Sequence, residues 1–388
     1  MLTITPIGSC RIATPLRLCR ESHGFRMNMK RVYGYSHTSA EAVQQMNFLH
    51  GTFKPNEDLL PLISPRWQEL NQQNDEHTPS DVYVVEICSA KQATIDGQSV
   101  QLNYLKRRYR DFFSDPERDR MCFRLAAGAD EEALGTWLDE VWSANETQHK
   151  DSSILRQLRV RQANLDMVRD DMVRLQDGLG EVLFVTHVNA RDGNGNVLTG
   201  RDALIKTVTQ AAQQIGARLY NPTALMEKVG QTQAIEDHSA GLAHFTESFS
   251  QRVLEDWYEF AIHDIIENYI INTPDDAIER IVVPHAKAFL ATPDPEHVAY
   301  ITTLLDALES YFPENPQLKL LRMKIARSEG NEDALKRAFF RLAIAGNLAD
   351  LKALDSEIRT LPQLDAWIEE LRAAEALSDD TVGWLLSR

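Results

Sequence analysis

The stretch LTITPIGSC, residues 2–10, decides the fold. Its first six residues favour a β-strand, and the Gly8-Ser9 pair that follows marks a turn. Residues 12–22 then have a helical composition, in which Pro15 restricts the point at which the helix can begin. A strand followed by a turn and a helix indicates that the chain begins as an α/β fold.

The same alternation of strand and helix continues over the first 260 or so residues. Thr38 and Glu41 fit the capping box that begins a helix. DVYVVEI (81–87) is an almost continuous apolar run, which is typical of a buried parallel strand. The other predicted elements are a weak strand over 30–33, strands over 181–188 and 217–222, and helices over 201–215 and 244–270. This pattern predicts a five-stranded, mostly parallel, flavodoxin-like sheet with helices on both faces.

Residues 100–178 interrupt the alternation with a charged and mostly helical segment. Apolar side chains from Ile154 to Leu175 recur at spacings of three, four and seven residues, which predicts one long amphipathic helix. We expect this helical insertion to pack over the sheet or to form one wall of a pocket.

The residues from 273 to 388 carry helical patterns and almost no strand signal, so we expect an all-α region after an α/β domain over 1–262. Residues 314–347 resemble a tetratricopeptide-type helix pair, with small alanines and a turn at Gly330. From His263 onward the sequence contains 13 lysines and arginines and 22 acidic residues, which gives a net charge of −9. An acidic helical region of this kind is a candidate surface for a protein partner.

The overall composition indicates a soluble globular protein of 388 residues, 43% apolar and 25% charged. No apolar run reaches the roughly 18 residues of a membrane span, and no signal peptide is visible at the start, so we expect a cytoplasmic location. The net charge of −16 argues against nucleic acid as a partner. None of the four cysteines forms a C-x-x-C pair, and no metal site is expected.

Polar residues follow several of the predicted strands. In an open parallel sheet, ligands bind beyond the carboxyl ends of the strands. The residues at those ends are Ser9, Gly34, Ser89, His187 and Asn221. Residues far apart in sequence are therefore expected to meet at one edge of the sheet.

Two short blocks and a histidine give the first domain a family resemblance. Gly8-Ser9-Cys10 resembles the nucleophile turn of SGNH (GDSL-like) hydrolases, in the GSC variant of some bacterial SGNH-like proteins associated with polysaccharide biosynthesis. GYSHTSAE (34–41) resembles the second block of that family, and GLAHFTESF (241–249) resembles the last. The resemblance covers residues 1–262 without the insertion. It implies Ser9 as nucleophile, His244 as base and the Gly34 N–H as an oxyanion donor.

The sequence departs from the family at two blocks. The strand ending at Ile87 lacks the family's Gly-x-Asn-Asp, so Ser89 or Lys91 would have to replace the asparagine. Gly241 stands where the family has its aspartate, three residues before His244, and Asp237 lies seven residues before it. Asp237 is therefore the candidate that orients the imidazole.

Further candidates rest on position alone. Arg11 lies just past the turn, where it would meet a phosphate or carboxylate near a helix N-terminus, and His187 lies at a strand end. These candidates also have purely structural interpretations. Ser9 can belong to a common turn, His244 can be solvated or cap a helix, and Lys91 can be a surface lysine.

The resemblance implies a serine-dependent esterase or O-acyltransferase that acts on a carbohydrate or polysaccharide precursor through an acyl-enzyme. No cofactor is required for hydrolysis, and acyl-coenzyme A is the expected donor for transfer. The acceptor would be a carbohydrate or another small molecule. The alternative is a catalytically inactive SGNH-like binding module or a scaffold in glycan biosynthesis, which the altered blocks favour.

Overall fold

A five-stranded sheet forms the centre of the α/β part of the protein, seen in a computed structural model. Its strand order is β2-β1-β3-β7-β8, and the pairs β1–β3, β3–β7 and β7–β8 are parallel. The strands of this sheet are β1 (Leu2–Ile7), β2 (Phe25–Met27), β3 (Val82–Ile87), β7 (Val182–Thr186) and β8 (Arg218–Tyr220). Counted along this sheet alone, the order is 2-1-3-4-5, as in flavodoxin-like sheets. The predicted α/β class and a five-stranded, mostly parallel sheet are confirmed.

The structure describes residues 2–70, 76–130, 132–142, 152–198, 200–236, 241–272, 278, 282–291, 295–313, 315–346, 348–353, 355–361 and 363–387. The chain divides into two units. The α/β unit comprises Thr3–Cys19 and Arg26–Ile265, and the helical unit comprises Met1–Leu2, Arg20–Phe25 and Ile266–Arg388.

Helices cover both faces of the main sheet. One face packs on α2 (Ser39–Leu49), α10 (Leu165–Leu179) and α11 (Arg201–Ile215), whose apolar side chains join those of β3 and β7 in one core. The other side carries α1 (Cys10–Cys19), which packs against α14 (Glu247–Trp257). The sheet is therefore shielded from water on both faces, as its continuous apolar strands require.

The predicted insertion has a different structure from the one expected. Between β3 and α10 the chain forms a second, three-stranded antiparallel sheet in the order β5-β4-β6. Its strands are β4 (Lys91–Ile95), β5 (Gln98–Ser99) and β6 (Arg159–Gln162), and its helices are α5 (Leu102–Arg108), α6 (Arg110–Phe113), α7 (Pro116–Ala126), α8 (Ala133–Trp142) and α9 (Ser152–Arg156). These elements enclose a core of their own.

The prediction of one long helix from Ile154 to Leu175 was wrong. The described chain there is α9, then β6, then α10. β6 exists because it pairs with β4 about seventy residues earlier, and this partner leaves no trace in the local pattern of RVRQ. The apolar spacing continues from α9 through β6 to α10 because each of these elements buries one of its faces. α10 buries its apolar face against the main sheet.

Three further boundaries differ from the predictions. The second strand is β2, and the predicted strand over 30–33 is a turn in which Arg31 has a φ of 60°. The first helix begins at Cys10, directly after Ser9. The helix predicted from 244 begins instead at Glu247, where the Thr246 hydroxyl accepts the Phe249 N–H, and a π-helical turn follows α14 over Tyr258–Ile262.

The remaining helices complete the two units. In the α/β unit they are α3 (Leu60–Ile63), α4 (Trp67–Leu70), α12 (Thr223–Val229) and α13 (Gln231–Ala234), with a 3-10 turn over Glu57–Leu59. α15 (His263–Asn272) follows, and the helical unit continues with α16 (Val283–Ala291), α17 (Pro295–Tyr311), α18 (Pro316–Ser328), α19 (Glu332–Ala345), α20 (Leu348–Ala353), α21 (Asp355–Ile358), α22 (Leu364–Ala373) and α23 (Asp379–Leu386). Among the described residues, no helix combines the length and apolarity needed to cross a bilayer.

The expected helix pair over 314–347 is present as α18 and α19. Gly330 turns the chain between them with a φ of 64°, a conformation that favours glycine. Phe339 of α19 packs near Trp367 of α22 within one apolar core, so the helical unit has its own hydrophobic interior.

Candidate functional site

Ser9 lies in the turn between the carboxyl end of β1 and the first residue of α1. It is 4% exposed, and its carbonyl accepts the N–H groups of Ile12 and Ala13. Its hydroxyl accepts the Arg11 N–H at 3.3 Å, which is the bond of a helix N-cap serine. The structure therefore places Ser9 at the expected edge of the sheet and also gives it a structural bond.

Glu86, on β3, is the residue that holds this turn. It is fully buried, and its Oε2 accepts the Ser9 backbone N–H at 2.8 Å. Its Oε1 accepts from Arg11 Nε at 2.5 Å, and Arg11 is 8% exposed. Burial lowers the pKa of Arg11, but the charge and hydrogen bond of Glu86, together with Cys88 and Cys10, outweigh burial and raise that pKa overall. A buried ion pair thus fixes the Ser9 turn against the central strand.

The glycine before Ser9 is required by this close approach. A Cβ on Gly8 would lie 2.6 Å from Glu86 Cβ and 2.7 Å from Ile12 Cδ1, so any larger residue would push the turn away from β3. The Gly8 carbonyl also accepts the Ser36 N–H at 3.3 Å, which ties the turn to the segment after Gly34.

A cavity of about 280 Å³ opens beside the turn. It is lined by Gly8 and Gly34 and by mostly apolar neighbours, among them Pro6, Ala13, Met29, Val32, Tyr35, Pro65, Arg66 and Tyr104. Among the described residues, no acceptor is paired with the Gly34 N–H. Gly34 therefore lines the cavity with Gly8, the neighbour of Ser9, while the Ser9 N–H is bonded to Glu86.

Two histidines lie near the ion pair. Burial lowers the pKa of His187 well below its ordinary value, and the charges of Arg11 and Arg201 lower it further. Because the His187 Nδ1 is 2.9 Å from the Val188 carbonyl oxygen, Nδ1 carries the proton and Nε2 is an acceptor. Burial also lowers the pKa of His37, with Glu86 acting in the opposite direction. Both imidazoles are therefore neutral at neutral pH.

Hydrogen bonds to backbone carbonyls position the segment directly before His244. Two buried or half-buried arginines bind carbonyls directly before it: Arg11 Nη1 donates to Ala243 at 3.4 Å, and Arg201 Nη1 donates to Leu242 at 3.1 Å. Arg201 also bonds the Gly241 carbonyl. These bonds bring the chain at His244 beside the Ser9 turn, while the His244 side chain is exposed. Asp237 lies outside the described residues.

Leu242 shows that the loop before His244 is constrained. Its φ is 44°, which is unusual for a residue with a branched side chain, and its carbonyl is one of those held by Arg201. Such conformations persist only where the surroundings enforce them, and they are concentrated at functional sites.

Ser89 and Lys91 lie on the segment that leaves the main sheet. The Ser89 N–H donates to the His37 carbonyl at 2.9 Å, and the Ser89 hydroxyl accepts the Lys91 N–H at 3.1 Å. The Lys91 ammonium lies 3.7 Å from the ring centre of Phe123, inside the insertion. Burial, followed by the charge of Lys106, lowers the pKa of Lys91. The structure therefore places the Lys91 side chain on the insertion and not beside Ser9.

Sequence reasoning missed Glu86 and Arg201. Glu86 had a visible signal, because a lone carboxylate inside an apolar strand must be paired when buried. Arg201 had none, since it stands at the start of an ordinary amphipathic helix. Burial and the nearby Arg11 lower the pKa of Arg201 to about 10, so it remains charged at neutral pH. Among the described residues, no three His, Cys, Asp or Glu side chains are grouped to hold a metal ion.

Comparison with known proteins gives the family. The model of the TviD N-terminal domain matches residues 2–260. The chain belongs to the TviD N-terminal domain family. It is 30% identical over 387 residues to the Vi polysaccharide biosynthesis protein TviD of Salmonella typhi, a match that covers 98% of this chain and 46% of that protein. The chain thus spans about half the length of this relative.

The family match includes every described element of the α/β unit except the end of the π-helical turn and the first residues of α15. The Ser9 turn, Glu86 and the constrained loop before His244 all lie within it. No solved structure matches the chain.

Proposed function

We propose that the α/β unit is an SGNH-like, serine-dependent esterase or O-acyltransferase that acts on a carbohydrate or polysaccharide precursor. The observation that carries the proposal is the Ser9 turn, which a buried carboxylate and arginine hold at the carboxyl edge of a parallel sheet beside a cavity. The carbohydrate part rests on the relative, which is named as a polysaccharide biosynthesis protein.

In the proposed reaction, the Ser9 oxygen attacks the carbonyl carbon of an acyl donor while a base takes the hydroxyl proton. His244 is the proposed base, because Arg11, which pairs with Glu86 at the Ser9 turn, also donates to the carbonyl of Ala243, the residue directly before His244. The proton then passes to the departing alcohol or thiol, and water or a sugar hydroxyl removes the acyl group from Ser9. Asp237 is the proposed residue that orients His244.

The oxyanion of the intermediate needs donors that are already in place. Gly34 N–H is the proposed donor, because it lines the cavity and is paired with no acceptor among the described residues. The Ser9 N–H donates to Glu86, so it can serve the oxyanion only if that bond is released or shared.

The same bond favours a second candidate, an inactive binding module or scaffold. A serine that is 4% exposed, caps a helix and gives its N–H to a carboxylate has a complete structural role without chemistry. In that case the proposed partner surface is the helical unit, where Arg337 and Arg341 line a cavity of about 340 Å³.

The test is hydrolysis of p-nitrophenyl acetate, with labelling by a fluorophosphonate, in wild type, Ser9→Ala and His244→Ala. We expect Ser9→Ala to abolish both signals and His244→Ala to lower the rate by at least a hundredfold, as loss of a general base does. Cys10→Ala is the control, because it changes the neighbouring side chain without touching the hydroxyl.

Equal turnover by wild type and Ser9→Ala would reject the serine mechanism. Equal turnover by His244→Ala would move the role of base to His187, whose Nε2 is an acceptor, or to His37. A wild type that neither turns over ester nor takes the label would favour the binding module.

A further inference from the structure

The proposed site is short of hydrogen-bond donors for an oxyanion. The Ser9 N–H already donates to the Glu86 carboxylate at 2.8 Å, which leaves the Gly34 N–H as the proposed donor. The segment after β3 lacks the asparagine that completes the oxyanion hole of SGNH hydrolases, and the Lys91 ammonium lies over the Phe123 ring instead. Since the charge of a tetrahedral intermediate is stabilised by several preorganised donors, a further donor is expected near the serine turn.

The backbone of His37 lies between the serine turn and the carboxyl end of β3. The residue before it, Ser36, donates its N–H to the Gly8 carbonyl at 3.3 Å. The His37 carbonyl accepts the N–H groups of Cys88 and Ser89 at 2.8 and 2.9 Å, directly after β3. His37 is therefore tied both to the serine turn and to the segment that carries the asparagine in SGNH hydrolases.

The tautomer of His37 is set by Gln101, the residue before α5. Gln101 is 3% exposed, and its Oε1 accepts the Tyr104 N–H at 2.9 Å. Because a backbone N–H can only donate, the amide oxygen faces Tyr104 and the amide nitrogen faces His37. Gln101 Nε2 therefore donates to His37 Nδ1, 3.2 Å away. In the neutral imidazole the proton is then on Nε2.

The Nε2–H of His37 is available to a ligand. Among the described residues no partner for this nitrogen is found. His37 is half-buried, and its Nε2 is not one of the fully enclosed polar atoms. The charges of Glu86 and Arg11 both act on the pKa of His37, so the imidazole lies near the ion pair that holds the serine turn. Burial, the largest influence, lowers that pKa, which keeps the ring neutral at neutral pH.

We propose that His37 is an oxyanion donor of the serine reaction, in which its Nε2–H takes the place of the missing asparagine beside the Gly34 N–H. This inference rests on the proposed function and adds a catalytic residue to it. A neutral imidazole N–H is suited to this role, because it polarises a carbonyl oxygen without giving up its proton.

The step balances with His37 unchanged. When Ser9 Oγ bonds to the carbonyl carbon, the electron pair of the C=O double bond moves to the oxygen, which accepts the His37 Nε2–H and the Gly34 N–H. The serine proton passes to the base. The double bond then re-forms, the bond to the departing alcohol breaks, and the alcohol takes the proton from the base.

The experiment measures kcat and KM for p-nitrophenyl acetate in the full chain, with His37→Leu and His37→Gln. Leucine removes the donor. Glutamine can accept from Gln101 through its oxygen and present its amide N–H near the position of Nε2, but it cannot act as a base. His50→Leu and His50→Gln are the controls, since they make the same changes at an exposed histidine directly after α2. Urea unfolding shows whether each variant is folded.

We expect His37→Leu to lower kcat by about a hundredfold or more and to leave KM within about threefold, because the oxyanion exists only after the attack. His37→Gln should keep at least about a tenth of the wild-type kcat, because an N–H donor is restored. The two His50 variants should match wild type within about twofold.

A second measurement needs no turnover. Long-range proton–nitrogen NMR spectra distinguish the two imidazole tautomers, and the His37→Gln variant identifies the His37 signals by their loss. We expect the wild-type protein at neutral pH to carry the His37 proton on Nε2. A proton on Nδ1 would overturn the proposal.

The kinetic outcomes separate this proposal from the serine mechanism. Full kcat in a folded His37→Leu, beside an inactive Ser9→Ala, would reject the role of His37 alone. His37→Gln below about a hundredth of the wild-type kcat would also reject it, because the residue would then act as a base or hold the structure; this outcome decides even if His37→Leu does not fold. A wild type without turnover, or full turnover in Ser9→Ala, would reject the serine mechanism and the His37 donor with it.

Discussion

Replacing Glu86 by glutamine should destabilise the α/β unit strongly. The carboxylate is fully buried, and it holds both the Ser9 N–H at 2.8 Å and Arg11 Nε at 2.5 Å. Glutamine keeps the shape and one acceptor but leaves the Arg11 guanidinium, 8% exposed, without a counter-charge. Removing one partner of a buried ion pair costs about 3–5 kcal/mol.

The chain contains a matched control for this substitution. Glu181 pairs with Arg218 at 2.5 Å, the same distance, but its side chain is 47% exposed. Exposed pairs contribute about 0–1 kcal/mol, since water and salt screen them. Glu181→Gln therefore makes the same chemical change at an equal arginine–carboxylate distance, on a pair that is exposed and whose carboxylate does not also hold the Ser9 N–H.

The assay is urea unfolding of wild type and both variants, followed by a fluorescence signal from the α/β unit. With a slope of about 2–3 kcal/mol/M, Glu86→Gln should lower the midpoint by roughly 1–2 M. Glu181→Gln should lower it by less than about 0.5 M. Equal midpoints for the two variants would refute the view that burial makes the Glu86 pair the anchor of the turn.

Three further outcomes are expected. Gly8→Ala should destabilise the fold by about 1–3 kcal/mol in the same urea assay, because its Cβ would lie 2.6 Å from Glu86 Cβ, while Gly193→Ala, which meets nothing within 4 Å, should be neutral. Burial raises the pKa of Glu41 to about 7, so the folded state binds its proton more tightly than the unfolded state does. Its stabilising contribution should be complete below about pH 4.5 and lost as pH rises through about 7, and Glu41→Gln should remove that part of the pH dependence when unfolding is measured at pH 5 and pH 8. Burial raises the pKa of Cys19 and of Cys122 to about 12, so both thiols should stay protonated and unreactive at pH 8. Mass spectrometry should find both unmodified after iodoacetamide treatment of the native protein at that pH, and rapid alkylation of either would contradict their burial.

Local sequence patterns predicted much of the fold. The run from residue 2 to 10 predicted a strand and a turn, and β1 and the Ser9 turn lie there. The apolar run 81–87 predicted the buried central strand β3, and the alanine-rich segment around Gly330 predicted the α18–α19 pair. These elements are specified by neighbours in the chain, so their periodicity and turn residues are visible without a structure.

The candidate site could be predicted only in part from local sequence patterns. Ser9 and Gly34 were predicted by their positions at strand ends, and in the structure Gly34 lines a cavity together with Gly8, the residue before Ser9. Lys91 was predicted for the same edge, but the chain turns into β4 directly after β3 and carries its side chain to Phe123. The direction in which a chain leaves a strand depends on what it packs against next, and no local pattern states that.

By itself, the sequence determined the α/β class, the first strand and the serine turn, because each depends on residues a few positions apart. Only the tertiary structure decided the second sheet, in which β6 pairs with β4, and the bond from Ser9 to Glu86 across 77 residues. Both need partners that meet only when the chain has closed long loops. Their energy comes from burial and from charge pairing in the folded core, which the order of residues alone does not reveal.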